Sequence, residues 1–222
     1  MAVRGSESKG RGKGPKARDK ADRILAAADE LFGEQGYDAI SVRDVARAAG
    51  VNKALVFYYF DSKEELFGRV LTRYYESHRL ALEQALAEDG EMDERLTRLV
   101  DAYFDFMAAN RRFARLVQQQ IAGPGTHLEL IQANLSELEG WTERALEGIA
   151  PTEGPLASRH FFVTFSGAMI NYFTYAAALR PVWGGDPLAD DALSERRAHL
   201  HWLVRVVVDG LRADAEEPDA RE

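Results

Sequence analysis

The sequence predicts an all-α protein, with an N-terminal three-helix domain of the helix-turn-helix type and a larger helical domain behind it, about nine helices in total. Three observations carry this. Apolar residues recur at helical spacing along most of the chain. No stretch alternates apolar and polar residues over a useful strand length, and no internal repeat is present. Residues 41–63, SVRDVARAAGVNKALVFYYFDSK, read as two short helices meeting at a tight turn.

Residues 1–18 are rich in Gly, Lys, Arg and Ser and almost devoid of apolar side chains, which predicts a disordered basic arm, since too little surface is available to offset ordering entropy. Gly5 and Gly10 do not open a phosphate loop, because Arg11 and Gly12 stand where Lys and Ser/Thr are needed. From Asp19 to Gln35 the apolar positions Ile24, Leu25, Ala28, Leu31 and Phe32 predict a first helix, ended by Gly36. Ser41 is a good N-cap for a second helix with Val42, Val45, Ala46 and Ala49 on its apolar face. Gly50 supplies the positive φ that ends it, and Asn52 caps a third helix through Tyr58. Ala46 is small enough for the second and third helices to cross closely. In that layout the third helix enters the DNA major groove.

A fourth helix is capped by Asp61 or Ser62 and runs to about Ala87. Met92 to Asn110 sets Leu96, Leu99, Val100, Tyr103 and Met107 on one face, leaving Asp101 and Asp105 on a solvated one. A shorter helix over Phe113–Ile121 stops at Gly123-Pro124-Gly125, and Thr126 caps the next, to about Ile149. Pro155 opens a long segment to Arg180. A loop then leads to a last helix over 192–212, with an acidic tail from Asp214.

With 46% apolar residues, 222 residues afford a sizeable core. The absence of cysteine excludes disulfides, thiolate zinc sites and cysteine nucleophiles. His199 and His201 are two apart, face different ways on a helix and do not form a metal pair. No carboxylate pair or Ser/His/Asp arrangement indicates catalysis, and no cofactor is implied. The basic N-terminus lacks the apolar run of a secretory signal, which makes a cytoplasmic protein the expectation.

The net charge of −8 sits poorly with a nucleic-acid partner until its distribution is read. Residues 1–63 hold 12 Lys/Arg against 9 Asp/Glu, and the remainder, by difference from 28 and 36, holds 16 against 27. A basic end thus precedes an acidic body. Residues 161–179 carry no charge over nineteen positions, long enough for a membrane span. Their polar Thr164, Ser166, Asn171 and Thr174 also suit the buried centre of a bundle or a subunit contact.

The segment GYDAISVRDVARAAGVNKALVFYYFDSKEELF, with the helix before it, resembles the DNA-binding domain of the TetR family of bacterial transcriptional repressors. The features that carry the match over about residues 20–67 are Gly36-Tyr37, Ser41, Ala46, Gly50-Val51, the aromatic cluster ending at Phe60, and Ser62-Lys63. The rest of the chain matches in architecture only. The resemblance implies a homodimer without a membrane segment, which binds a palindromic double-stranded DNA operator through residues 19–66. It implies that residues 67–213 hold a small apolar or aromatic effector and pair through their last two helices, with 214–222 as a tail. Effector binding would release the operator.

On that basis the DNA-contacting candidates are Ser41, Val42, Arg43, Asn52, Lys53, Ala54, Phe57, Tyr58, Tyr59 and Lys63. Lys53 opens the recognition helix, where lysine donates to guanine edges or phosphate. Tyr58 resembles the family's phosphate-bonding tyrosine, and Lys63 sits at a helix N-terminus that already favours phosphate. Leu55 and Tyr59 depart from the residues often found at their positions, so the base preference stays open. Arg43 is either a base contact or a solvated side chain. For the effector the candidates are Tyr74, His78, Tyr103, Met107, Trp141, Phe165, Met169 and Tyr172, though side chains of this kind at helical spacing are more often core than pocket lining. His78 has the alternative of a hydrogen-bonded structural histidine.

Overall fold

The computed structural model describes residues 15–122 and 127–216. Among them are ten α-helices and no strand: α1 Pro15–Gln35, α2 Val42–Ala48, α3 Lys53–Tyr59, α4 Lys63–Ala87, α5 Met92–Ala109, α6 Arg111–Ala122, α7 Leu128–Ala145, α8 Ser158–Thr174, α9 Ala176–Trp183 and α10 Asp190–Glu216. The expected Gly123-Pro124-Gly125 stop, the Thr126 cap and most of the basic arm lie outside the described residues.

Helix α1 starts four residues earlier than apolar spacing indicates. Proline is well tolerated at a first helical position, where its missing N–H has no intrahelical partner to lose. The segment read as one helix from Pro155 to Arg180 is two, broken at Tyr175. Both pieces are apolar, so composition did not mark the break. The uncharged stretch 161–179 is thereby divided between α8 and α9, and no helix among the described residues is long and apolar enough to cross a membrane. Helix α10 begins two residues before and ends four after the expected span.

The chain divides into two compact units, Met1–Val70 and Leu71–Glu222, with α4 running through the boundary. In the first unit α1 packs on α2 and α3. Ile24, Ala28 and Phe32 of α1 are buried with Val45, Ala46, Val56 and Phe60, the residues that apolar spacing assigned to the inner faces. Phe32, Tyr37 and Phe67 form a ring cluster with centroids 5.0 to 5.7 Å apart. Arg23 donates to the Ala49 carbonyl at 2.6 Å, which satisfies the end of α2 beside Gly50 (φ +64°).

In the second unit α5 packs on α6, α7, α8 and α10, and α7 on α8. Its core holds Leu71, Leu82, Phe104, Met107, Leu116, Met169, Leu200 and Val208. Asp105 is exposed as expected and Asp101 is half-buried, but neither is simply solvated. Arg197 of α10 bonds Asp101 at 2.7 Å and also pairs with Asp105, while His201 Nε2 lies 2.8 Å from Asp101. Arg212 meets Asp93 at 2.9 Å about two turns along the same seam. The partners are 92 to 119 residues away, so nothing in the local pattern of α5 announces them.

Candidate nucleic-acid interface and ligand cavity

The helix pair α2–α3 is held by two side-chain caps. Asp44 N–H donates to Ser41 Oγ at 3.3 Å, and the Ser41 N–H returns a bond to Asp44 Oδ2 at 3.0 Å, which closes a capping box. The Ser41 hydroxyl also donates to Asp44 at 2.6 Å. That hydroxyl bond, then the backbone one, holds the Asp44 carboxyl below its usual range. A phosphate contact from Ser41 therefore requires its hydroxyl to leave Asp44. Asn52 Oδ1 accepts from Leu55 N–H at 2.8 Å and starts α3, a bond typically worth about 1 kcal/mol.

With Val56 and Phe60 buried, α3 turns its other face to solvent. Lys53, Ala54, Phe57 and Tyr58 are exposed there, Tyr58 at 61%. Tyr59 is half-buried with its ring 5.2 Å from that of Tyr58. Beside this face lies a shallow concavity that gathers Ser41, Val42, Arg43, Lys53, Phe57 and Lys63, which are six of the ten sequence candidates. Its lining carries three cations against one acid, Asp38. The Lys53 ammonium lies 5.4 Å from the Phe57 ring centroid, one turn along α3.

Lys63 Nζ stands 4.1 Å over the Tyr37 ring. Tyr37 received no role from the sequence beyond its place in the family pattern. In the fold its ring forms a floor under Lys63, itself backed by Phe32 and Phe67. Burial, then the nearby Glu64 and Asp38 carboxylates, push its hydroxyl pKa up. A cation over an aromatic face is aimed without being neutralised.

The second unit encloses a cavity between α4, α5, α7, α8 and α10. No charged side chain lines it. Of the effector candidates, Tyr103, Trp141, Phe165 and Met169 line the cavity, with Leu82, Leu99 and Val207 among their apolar neighbours. Two hydroxyls also line it, and both are committed to their own helices: Thr142 donates to the Leu138 carbonyl at 3.1 Å and Ser166 to Phe162 at 2.7 Å.

Tyr74, His78, Met107 and Tyr172 are not among the lining residues. Tyr74 packs against Phe113 at 5.3 Å, Met107 is fully buried, and the Tyr172 hydroxyl donates to the Pro187 carbonyl. His78 is 1% exposed, with its ring stacked on Phe106 (4.4 Å) and tilted against Tyr103 (4.5 Å). Neither of its ring nitrogens has a hydrogen-bond partner, so the hydrogen-bonded structural histidine is not what is found. Burial lowers its pKa to about 4, keeping the ring neutral.

Residues 24–70 match the family described as bacterial regulatory proteins, tetR family. The HTH-type transcriptional activator FasR of Mycolicibacterium smegmatis is 33% identical over 99 residues, which is 45% of this chain and 45% of that protein. The chain thus spans about half the length of the curated relatives it matches. Among solved structures, a TetR-family transcriptional regulator from Bordetella parapertussis is 26% identical with a TM-score of 0.64, covering 82% of this chain and 93% of that one. The fatty acid degradation regulator FadR from Bacillus halodurans shares the fold, with 23% identity, a TM-score of 0.67, and coverage of 87% and 96%.

Proposed function

We infer, from the match of residues 24–70 to the tetR family of bacterial regulatory proteins, that the chain is a member of that family and a ligand-responsive transcriptional regulator acting in the cytoplasm. It binds a palindromic operator as a homodimer, represses transcription, and leaves the DNA when a small apolar effector binds. The observation that carries the reading is the doubly capped helix pair, which buries Val56 and Phe60 while it presents Lys53, Ala54, Phe57 and Tyr58 beside a cationic concavity. An exposed aromatic pair next to unneutralised lysines suits the phosphates and base edges of a major groove.

Residues 19–66 serve as the DNA-binding domain. Lys53 and Arg43 reach base edges or phosphate, Tyr58 and Lys63 bond phosphate, and Ala54 and Phe57 meet apolar base edges. Val42 and Tyr59 lie at the margin, and Asn52 and Ser41 act first as caps. Residues 67–213 hold the effector against Tyr103, Trp141, Phe165 and Met169. Pairing with a second copy uses α8 and α10, where Val163, Trp202 and Val206 are 48 to 65% exposed. Such a dimer sets its two α3 helices about 34–36 Å apart, over successive major grooves.

Operator fragments selected from random DNA, followed by gel shift, test the reading. Lys53→Ala and Tyr58→Phe are each expected to weaken specific binding about tenfold or less, and together by more. Undiminished binding by the double variant removes these assignments. Transcription in vitro from a promoter overlapping the selected site decides repression against activation, which is the direction named for FasR.

A further inference from the structure

A stripe of α4 and a stripe of α5 run past one another and change character along their length. On α4, Leu82 lines the cavity, and His78 and Tyr75 continue the same face one and two turns back. On α5, Leu96, Leu99 and Val100 line it, Tyr103 closes the line, and Phe106 follows. Beyond Tyr103 polar atoms stand among the aromatic rings. The His78 ring packs tilted against that of Tyr103, with centroids 4.5 Å apart, and the Tyr75 hydroxyl is near enough to add to the rise of the Tyr103 pKa, after burial.

Three of those polar atoms, Tyr75 Oη and both ring nitrogens of His78, are buried without a hydrogen-bond partner. Tyr75 is 7% exposed and His78 1%. Buried polar groups in folded proteins are almost always paired, because an unpaired one loses its hydration for nothing. Three such atoms, on two residues that do not line the cavity but stand next to Tyr103, which does, are not explained by packing. Phe106 and Phe113, which flank them, offer no donor or acceptor from their rings.

We propose that Tyr103 on the cavity wall, with His78 and Tyr75 next to it, forms the polar end of the effector site, and that the effector is an uncharged molecule with an apolar body and one terminal hydroxyl or carbonyl group that enters at Tyr103 and reaches the two unpaired side chains beside it as that ring turns. This rests on the reading of the cavity as the effector site. Neutral imidazole presents one donor and one acceptor, and each tyrosine hydroxyl both donates and accepts, so the trio matches a group that can do either. A carboxylate or ammonium finds no counter-charge anywhere on the cavity lining. It would have to shed its water without replacement.

Quenching of Trp141 fluorescence in the full chain, with Trp183 and Trp202 replaced by Phe, reads occupancy directly. The probes are 1-decanol, 1-chlorodecane, decanoate and decyltrimethylammonium at pH 8. Decanol is expected to bind at least about tenfold more tightly than either ion and several-fold more tightly than chlorodecane. His78→Phe keeps the ring stack, and Tyr103→Phe keeps the cavity wall. Each should reduce decanol affinity about fivefold and leave chlorodecane affinity unchanged, which a general loss of structure would not do.

Tight decanoate binding, or decanol affinity indifferent to both variants, overturns the proposed polar end while the cavity keeps its role. Failure of every probe to quench Trp141 overturns the cavity reading and this proposal with it.

Discussion

Aromatic side chains serve opposite ends in the two units. On α3 Phe57 and Tyr58 stand exposed beside lysines, whereas in the second unit Tyr103, Trp141 and Phe165 turn onto a cavity with no charge on its lining. Both sets are aromatic side chains carried on helices. What separates them is the company each keeps. Arg43, Lys53 and Lys63 give the first surface a positive charge, whereas the second is lined without any charged side chain. Residue type alone does not say which use a ring has.

The comparison breaks hardest if a charge is tolerated inside the second unit. Met169→Lys, at a 1% exposed position on the cavity wall, is expected to destabilise the protein by about 3–5 kcal/mol. Urea titration followed by circular dichroism measures it, and an unchanged midpoint would mean that the wall is wetter than its lining indicates.

The next largest effect is on acid stability. His78 takes up a proton only near pH 4 in the folded protein, against 6.5 for an ordinary histidine. Between those values the unfolded chain holds more protons, so stability falls as pH is lowered through the window and is fully retained above it. The loss amounts to roughly 3 kcal/mol, less whatever the cavity relaxes. His78→Phe lacks this component, so the gap between variant and parent should widen steadily from pH 7 to pH 4 in parallel urea titrations. A constant gap would place His78 in water.

On the first unit the effects are smaller and fall on binding. Lys53→Ala should lower the slope of log affinity against log salt by about 1, since one phosphate-released counterion is lost. An unchanged slope with weaker affinity would make Lys53 a base contact only. Asn52→Ala removes the α3 cap and should cost about 1 kcal/mol of stability with little change in salt slope. Thermal unfolding and the salt series together tell a cap from a contact.

The helix-turn-helix was legible because its signals are local. Ser41, Gly50 and Asn52 each act within four residues of their own position, and Val45, Val56 and Phe60 declare their burial by spacing. The cavity was legible only in part. Tyr103, Trp141, Phe165 and Met169 shared their pattern with Tyr74, Met107 and Tyr172, which pack elsewhere. Which of them meets empty space depends on how α4, α5, α7, α8 and α10 cross, and a single helix carries no record of that. The aspartates of α5 misled for the same reason, since their partners Arg197 and His201 lie a hundred residues away.

By itself the sequence determined the all-helical class, the two short capped helices and the face that α3 shows, because caps, glycine turns and 3.6-residue spacing are set by neighbours along the chain. Tertiary structure alone decided the break at Tyr175, the Tyr37 floor under Lys63, the α5–α10 ion pairs and the unpartnered His78 beside Tyr103. Each of these is a meeting of residues far apart in sequence or a competition between two equally apolar arrangements. Periodicity is blind to both.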